Sequence, residues 1–291
     1  MALLRQRAAR IIRACRWLAV ALAAGALLGC SLIGLGYNRL PLMAYWWLDK
    51  QVDLTAAQSD RIRPQLQQWL AWHRQQELPQ LLQTLQRWQL MAAGEVSAAQ
   101  ACAELDLLQN RLNAAVERSL PALALLATDM KPQQWEHLQR QNAKTNDEFR
   151  SDYLDDPKAA RKKRLERATD WHEKLYGRLN LAQRTALERL LDASPFNPEA
   201  TLAERQRRQT DVLAALQRMA LNGKAETEVQ GLWQRFNDSP TPGYNANTAA
   251  RKQAICDQVA QIHHLATAEQ RQRAVLELAG YEKDLRSALA P

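Results

Sequence analysis

The word Leu54-Thr55-Ala56-Ala57-Gln58 places a hydroxyl three residues ahead of a glutamine, at the head of a run whose apolar residues recur every three or four positions. A threonine oxygen that accepts from the first-turn amides while the glutamine reaches back is a capping box, so the chain is predicted to turn helical here. Ile62, Leu66, Trp69, Leu70, Leu78, Leu81, Leu82, Leu85 and Trp88 then fall on one helical face. Pro64 and Pro79 each remove a donor and crowd the preceding turn, so they are expected to kink or divide this helix, with Gly94 ending it.

The same kind of start recurs along the chain. Ser97 precedes Gln100 by three residues, Met130-Lys131-Pro132-Gln133-Gln134 and Asp155-Asp156-Pro157 have the form of helix openings, and Asn180 with Gln183, Thr201 with Glu204 and Thr267 with Gln270 complete the set. No alternating run bounded by hairpin dipeptides is present, and two stretches read as irregular, Ser194 to Pro198 and Asn237 to Asn247. The intervals between starts are too uneven for a solenoid. The expected fold is therefore all-α: an irregular array of about eight to ten mostly antiparallel amphipathic helices joined by short connections.

The N-terminus limits where such an array can reside. Arg5, Arg7, Arg10, Arg13 and Arg16 precede an apolar run from Trp17 to Leu28, the order of a secretory signal peptide. Leu27-Leu28-Gly29-Cys30 resembles the lipobox of bacterial lipoproteins, which implies cleavage before Cys30 and lipidation of that residue. The expected organisation is a signal peptide at 1–29, the lipidated cysteine and linker at 30–41, and an all-α periplasmic domain at 42–291. Ser31 rather than aspartate stands after the cysteine, which points to the periplasmic leaflet of the outer membrane. The competing reading is an uncleaved anchor, because the charge-free run from Trp17 to Asn38 is long enough to span a bilayer. Both readings export the chain beyond Cys30.

Composition narrows the classes further. Five of the charges behind the formal +8 are the signal arginines, so a nucleic-acid partner loses its main support. Of four cysteines, Cys15 leaves with the signal and Cys30 takes lipid, so Cys102 and Cys256 remain, either as one disulfide in an oxidising compartment or as two separate buried thiols.

Three groups of residues are candidates for function. Tyr45, Trp46 and Trp47 are consecutive large aromatics that cannot share one helical face, so two are expected inward and one at a membrane interface or partner, unless a broad arc buries them. His73 and Glu77 stand one helical turn apart beside Trp69 and Trp72, and with Asp49 they form the candidate acid–base set; the alternative is a boundary pair near Pro79. Lys158, Arg161, Lys162, Lys163, Arg164 and Arg167 could meet anionic lipid or form a solvated helix face. His263-His264 lacks a chelating spacing, and no metal or cofactor is expected.

The words GCSLIGLGYN, AYWWLDKQVDL and WHRQQELP, in order from Gly29 to about Pro79, resemble a family of uncharacterised bacterial lipoproteins, and the likeness returns between Gln270 and Leu289 with Tyr281, Asp284 and Leu285. That resemblance implies an exported helical lipoprotein and brings no activity or site. The Leu-Thr-x-x-Gln word at Leu54 to Gln58 is also similar to a motif of small periplasmic helical chaperones. The expected function is a lipid-tethered scaffold or chaperone-like assembly factor whose partners are the membrane and envelope proteins. An envelope hydrolase or cell-wall-modifying enzyme and a passive structural lipoprotein are the alternatives.

Overall fold

A computed structural model describes residues 36–289, and the lipidation expected at Cys30 and the expected signal segment lie outside them. Twelve helices are present among the described residues and no strand. They are α1 (Leu40–Val52), α2 (Ala56–Gln76), α3 (Leu78–Ala93), α4 (Ala98–Glu117), α5 (Leu120–Thr128), α6 (Pro132–Tyr153), α7 (Pro157–Tyr176), α8 (Leu181–Asp192), α9 (Pro198–Asn222), α10 (Ala225–Asn237), α11 (Tyr244–His264) and α12 (Ala268–Ser287).

Local capping chemistry sets most of the starts. Thr55, Ser97, Asn180 and Thr267 each accept from the amide three residues on, while the glutamine there accepts from the capping residue's own amide. Asp156 accepts from the Lys158 and Ala159 amides. The Thr201 start is corrected: Asn197 and Pro198 open α9 earlier, and Thr201 and Glu204 lie within it. The count also exceeds eight to ten, because Pro79 and Pro121 sit in the first turns of α3 and α5 and divide longer runs. Pro64 neither ends nor splits α2; it sits on the exposed side, where water can serve the Asp60 carbonyl that it leaves without an amide donor. α1 opens at Leu40, two residues ahead of the expected domain start.

Pairwise contacts run antiparallel. Along α3 and α12 the partners run in opposite order, with Gln86 and Gln89 against Glu282 and Gly94 against Arg271. Cys102 and Asp106 of α4 meet Cys256 and Lys252 of α11. The Cys102–Cys256 disulfide, with Cα atoms 5.3 Å apart, ties α4 to α11.

Two cores result. One is built by α3, α7, α8, α11 and α12 around Leu85, Leu187, Ile262 and Leu278. Within it His263 shares hydrogen bonds with Tyr176 Oη at 2.9 Å and the Gly94 carbonyl at 2.8 Å, while its neighbour His264 is exposed beside Glu95. The other joins α1, α2, α5, α6 and α9 around Val52, Ile62, Leu126, Met130 and Leu216, and α10 packs beside it through Ala225 and Val229. Buried Gln134 is the polar hub here: its Nε2 donates to the Val52 and Asp53 carbonyls and to Gln58, fastening the α1–α2 turn to α6.

Candidate functional site

The second core is incompletely filled. Between α1, α4, α5, α6, α9 and α10 lies an open groove of about 460 Å³ with predominantly apolar walls. Helical periodicity supplies each wall: Val212, Leu216 and Met219 from α9, Val229, Leu232, Trp233 and Phe236 from α10, and Leu120, Leu123 and Ala127 from α5. Trp47, Leu48 and Val52 of α1 border it, together with Val116 of α4 and Leu138 of α6. Trp233 stacks on Phe236 with ring centroids 5.6 Å apart, and its Nε1 donates to Glu117.

The groove carries charge where Arg207, Arg208 and Asp211 line it. Glu204, only 1 % exposed, accepts from Arg207 Nε at 2.8 Å, from Arg208 Nε at 2.7 Å and from Thr241 Oγ1 at 2.7 Å. Burial pushes this carboxyl up, but the hydrogen bonds from Arg207, Thr241, Arg208 and Ser239 outweigh it and hold the pKa down at about 2. Asp211 pairs with Arg235 through both oxygens, and the Arg208 guanidinium lies 3.9 Å from the Phe236 ring centre. The arginines are thus occupied by the protein's own groups. Together they form a rigid wall beside apolar volume, an arrangement suited to an apolar guest.

The aromatic collar divides differently from expectation: one ring turns inward and two outward. Tyr45 faces α2, with its hydroxyl 3.1 Å from Ser59 Oγ and Arg63 stacked over its ring. Trp46 and Trp47 are 59 % and 61 % exposed, and Trp47 reaches the groove rim.

The acid–base set does not assemble. Asp49 accepts from the Leu54 amide at the end of α1, whereas His73 lies near the far end of α2, roughly 28 Å away along the helix at 1.5 Å per residue. His73 shares a 2.9 Å hydrogen bond with Tyr37 and stacks against Trp69, and burial pushes its ring pKa down. Glu77 is buried, with Arg111 3.8 Å from Oε2. The basic cluster on α7 is largely spent on neighbours: Arg161 pairs with Asp192, Lys163 and Arg167 with Asp152, and Lys162 with Glu166. Among the described residues no three His, Cys, Asp or Glu side chains are grouped to hold a metal ion, and no helix is long and apolar enough to cross a membrane.

The groove itself was not legible in the sequence. Its walls come from six helices, each with an ordinary apolar stripe, and only the packing reveals that the stripes do not meet.

Fold and groove together define an all-α protein with an apolar recess bounded by an arginine–carboxylate network. Residues 50–245 match the model of a family of unknown function, DUF6279, and the chain belongs to that family. The match takes in α2 to α10 and hence most of the groove. No curated protein matches the chain, and no solved structure does.

Proposed function

We propose that this protein is a lipid-tethered envelope protein that binds apolar segments of other exported proteins, as an assembly factor or chaperone-like scaffold. The observation that carries this reading is the groove: a preformed apolar recess that the chain's own side chains leave open, bordered by α1 near the N-terminal end of the described residues. Recesses of this kind take an amphipathic or extended segment through a few aromatic and aliphatic anchors, and here Trp47, Trp233 and Phe236 are placed to supply them. The predominantly apolar walls, whose arginines are already paired with the protein's own carboxylates, favour apolar guests without selecting one sequence, which fits a binder of several partners.

In-cell chemical crosslinking with mass spectrometry of the captured proteins, run on the wild type and on Leu120→Glu, tests the reading. A charge in the groove should abolish capture of exported proteins while thermal stability and abundance hold. Equal capture by the two proteins would refute it. A few reproducible partners would indicate a dedicated assembly factor, and a broad set a chaperone.

A further inference from the structure

We infer that the outward face of α1 is a membrane-contact surface seated in the interfacial layer of the bilayer that carries the anchor. The inner face of α1 is committed: Pro41 and Val52 are buried, and Tyr45 and Leu48 pack against the second core. On the opposite side the exposed residues are Arg39, just before the helix, and Leu40, Met43, Trp46, Trp47 and Lys50 within it. At 100° per residue these positions occupy an arc of about 120°, centred opposite the buried ones. Four of the six are large apolar side chains, and Met43 is 54 % exposed. No acid shares the arc, and along the helix axis a base stands before and after its apolar residues.

A helix that turns two tryptophans, a methionine and a leucine outward between an arginine and a lysine has the composition of one lying in the membrane plane. The indoles sit at the headgroup boundary, and the basic groups reach anionic lipid phosphates. The inner face already belongs to the fold, so α1 cannot rotate to hide this arc.

The path of the chain decides what covers it. Gly36 is the first described residue. It lies six positions beyond Cys30, a reach of at most about 20 Å at ~3.4 Å per step, so a lipid on Cys30 holds the start of α1 close to the bilayer. An uncleaved apolar run ending at Asn38 would bring it closer still. The inference thus rests on an N-terminal anchor but not on which of the two it is. Because Trp47 also borders the groove, a membrane-seated α1 puts the groove rim at the bilayer surface. The guest of the proposed function is then a segment lying in, or leaving, that same leaflet.

The test uses the processed protein reconstituted into vesicles of phosphatidylethanolamine and phosphatidylglycerol, with p-benzoylphenylalanine in place of Met43, or of Trp46, or of the 81 % exposed Leu181 on α8 as control. After irradiation and trypsin digestion, the peptide between Arg39 and Lys50 reports lipid adducts, and the separate peptide carrying Cys30 reports the state of the anchor. Phospholipid adducts at positions 43 and 46 at least tenfold above those at 181 are expected. Adducts at 43 and 46 no higher than at 181, or crosslinks there to a second copy of the chain, would overturn the inference whatever Cys30 carries. An unmodified Cys30 beside abundant adducts would sustain it and refute only the lipidation reading.

Discussion

Breaking the Cys102–Cys256 bond should loosen α4 before anything else. The bond closes a loop with a sequence separation of 154, for which the chain-entropy relation gives about 5 kcal/mol of stabilisation. α4 lies along α11 and accepts from Trp69 and Trp88, but it buries little apolar surface of its own. Ala101 is its one buried residue. Its charged ties are the exposed Asp106–Lys252 pair, of a type worth about 0–1 kcal/mol, and the half-buried Glu104, which Arg87 holds through both oxygens. Cys256 is fully buried, so its truncation adds a small packing loss. In a Cys102→Ser/Cys256→Ala variant the thermal midpoint, monitored by circular dichroism at 222 nm, should fall by roughly 10–20 °C, from about 2–4 °C per kcal/mol in a protein of this size. Hydrogen exchange should accelerate most in residues 98–117. A midpoint shift below about 3 °C with unchanged exchange in α4 would refute the argument, because helix packing alone would then be holding α4.

Three further perturbations probe other parts of the structure. Burial pushes the His172 ring pKa from 6.5 to about 4, and if Gln258 Nε2 donates to His172 Nε2, the ring proton is left on Nδ1, which has no partner. The unfolded chain therefore takes up a proton that the folded one resists, so stability present above pH 6.5 is lost as pH falls toward 4, by about 3 kcal/mol in total; urea titrations of His172→Gln should show a flatter loss across that window. Glu204→Leu leaves Arg207 and Arg208 without their shared carboxylate and should cost on the order of 3–5 kcal/mol by the same titrations. Gln134→Ala strands the Val52 and Asp53 carbonyls and should cost about 2–3 kcal/mol, with faster exchange at the α1–α2 turn.

Sequence and structure agree best where the governing chemistry is local. A capping residue and the glutamine three positions on interact within one turn, so Thr55, Ser97, Asn180 and Thr267 announce their helices without help from the rest of the fold. The same pattern misleads at Thr201 because Asn197 and Pro198 have already started the helix, which frees Glu204 to face Arg207, Arg208 and Thr241 instead of closing a cap. α10 and α11 escape such a reading because neither Lys224 nor Gly243 offers a capping side chain. The collar was legible as a conflict, three aromatics that cannot share a face, but which of them turns outward depends on Ser59 and Arg63 receiving Tyr45. The Glu204 network joins residues from separate elements, and no short word of sequence encodes it.

The central claim is that the groove holds apolar polypeptide. It is tested most directly by placing p-benzoylphenylalanine at Leu232 inside the groove and, separately, at the 62 % exposed Leu276 on α12, then sequencing the peptides captured in living cells. Position 232 should capture segments of exported proteins that are rich in consecutive apolar residues, with little capture at 276. The same peptides at both positions, or none at 232, would contradict it.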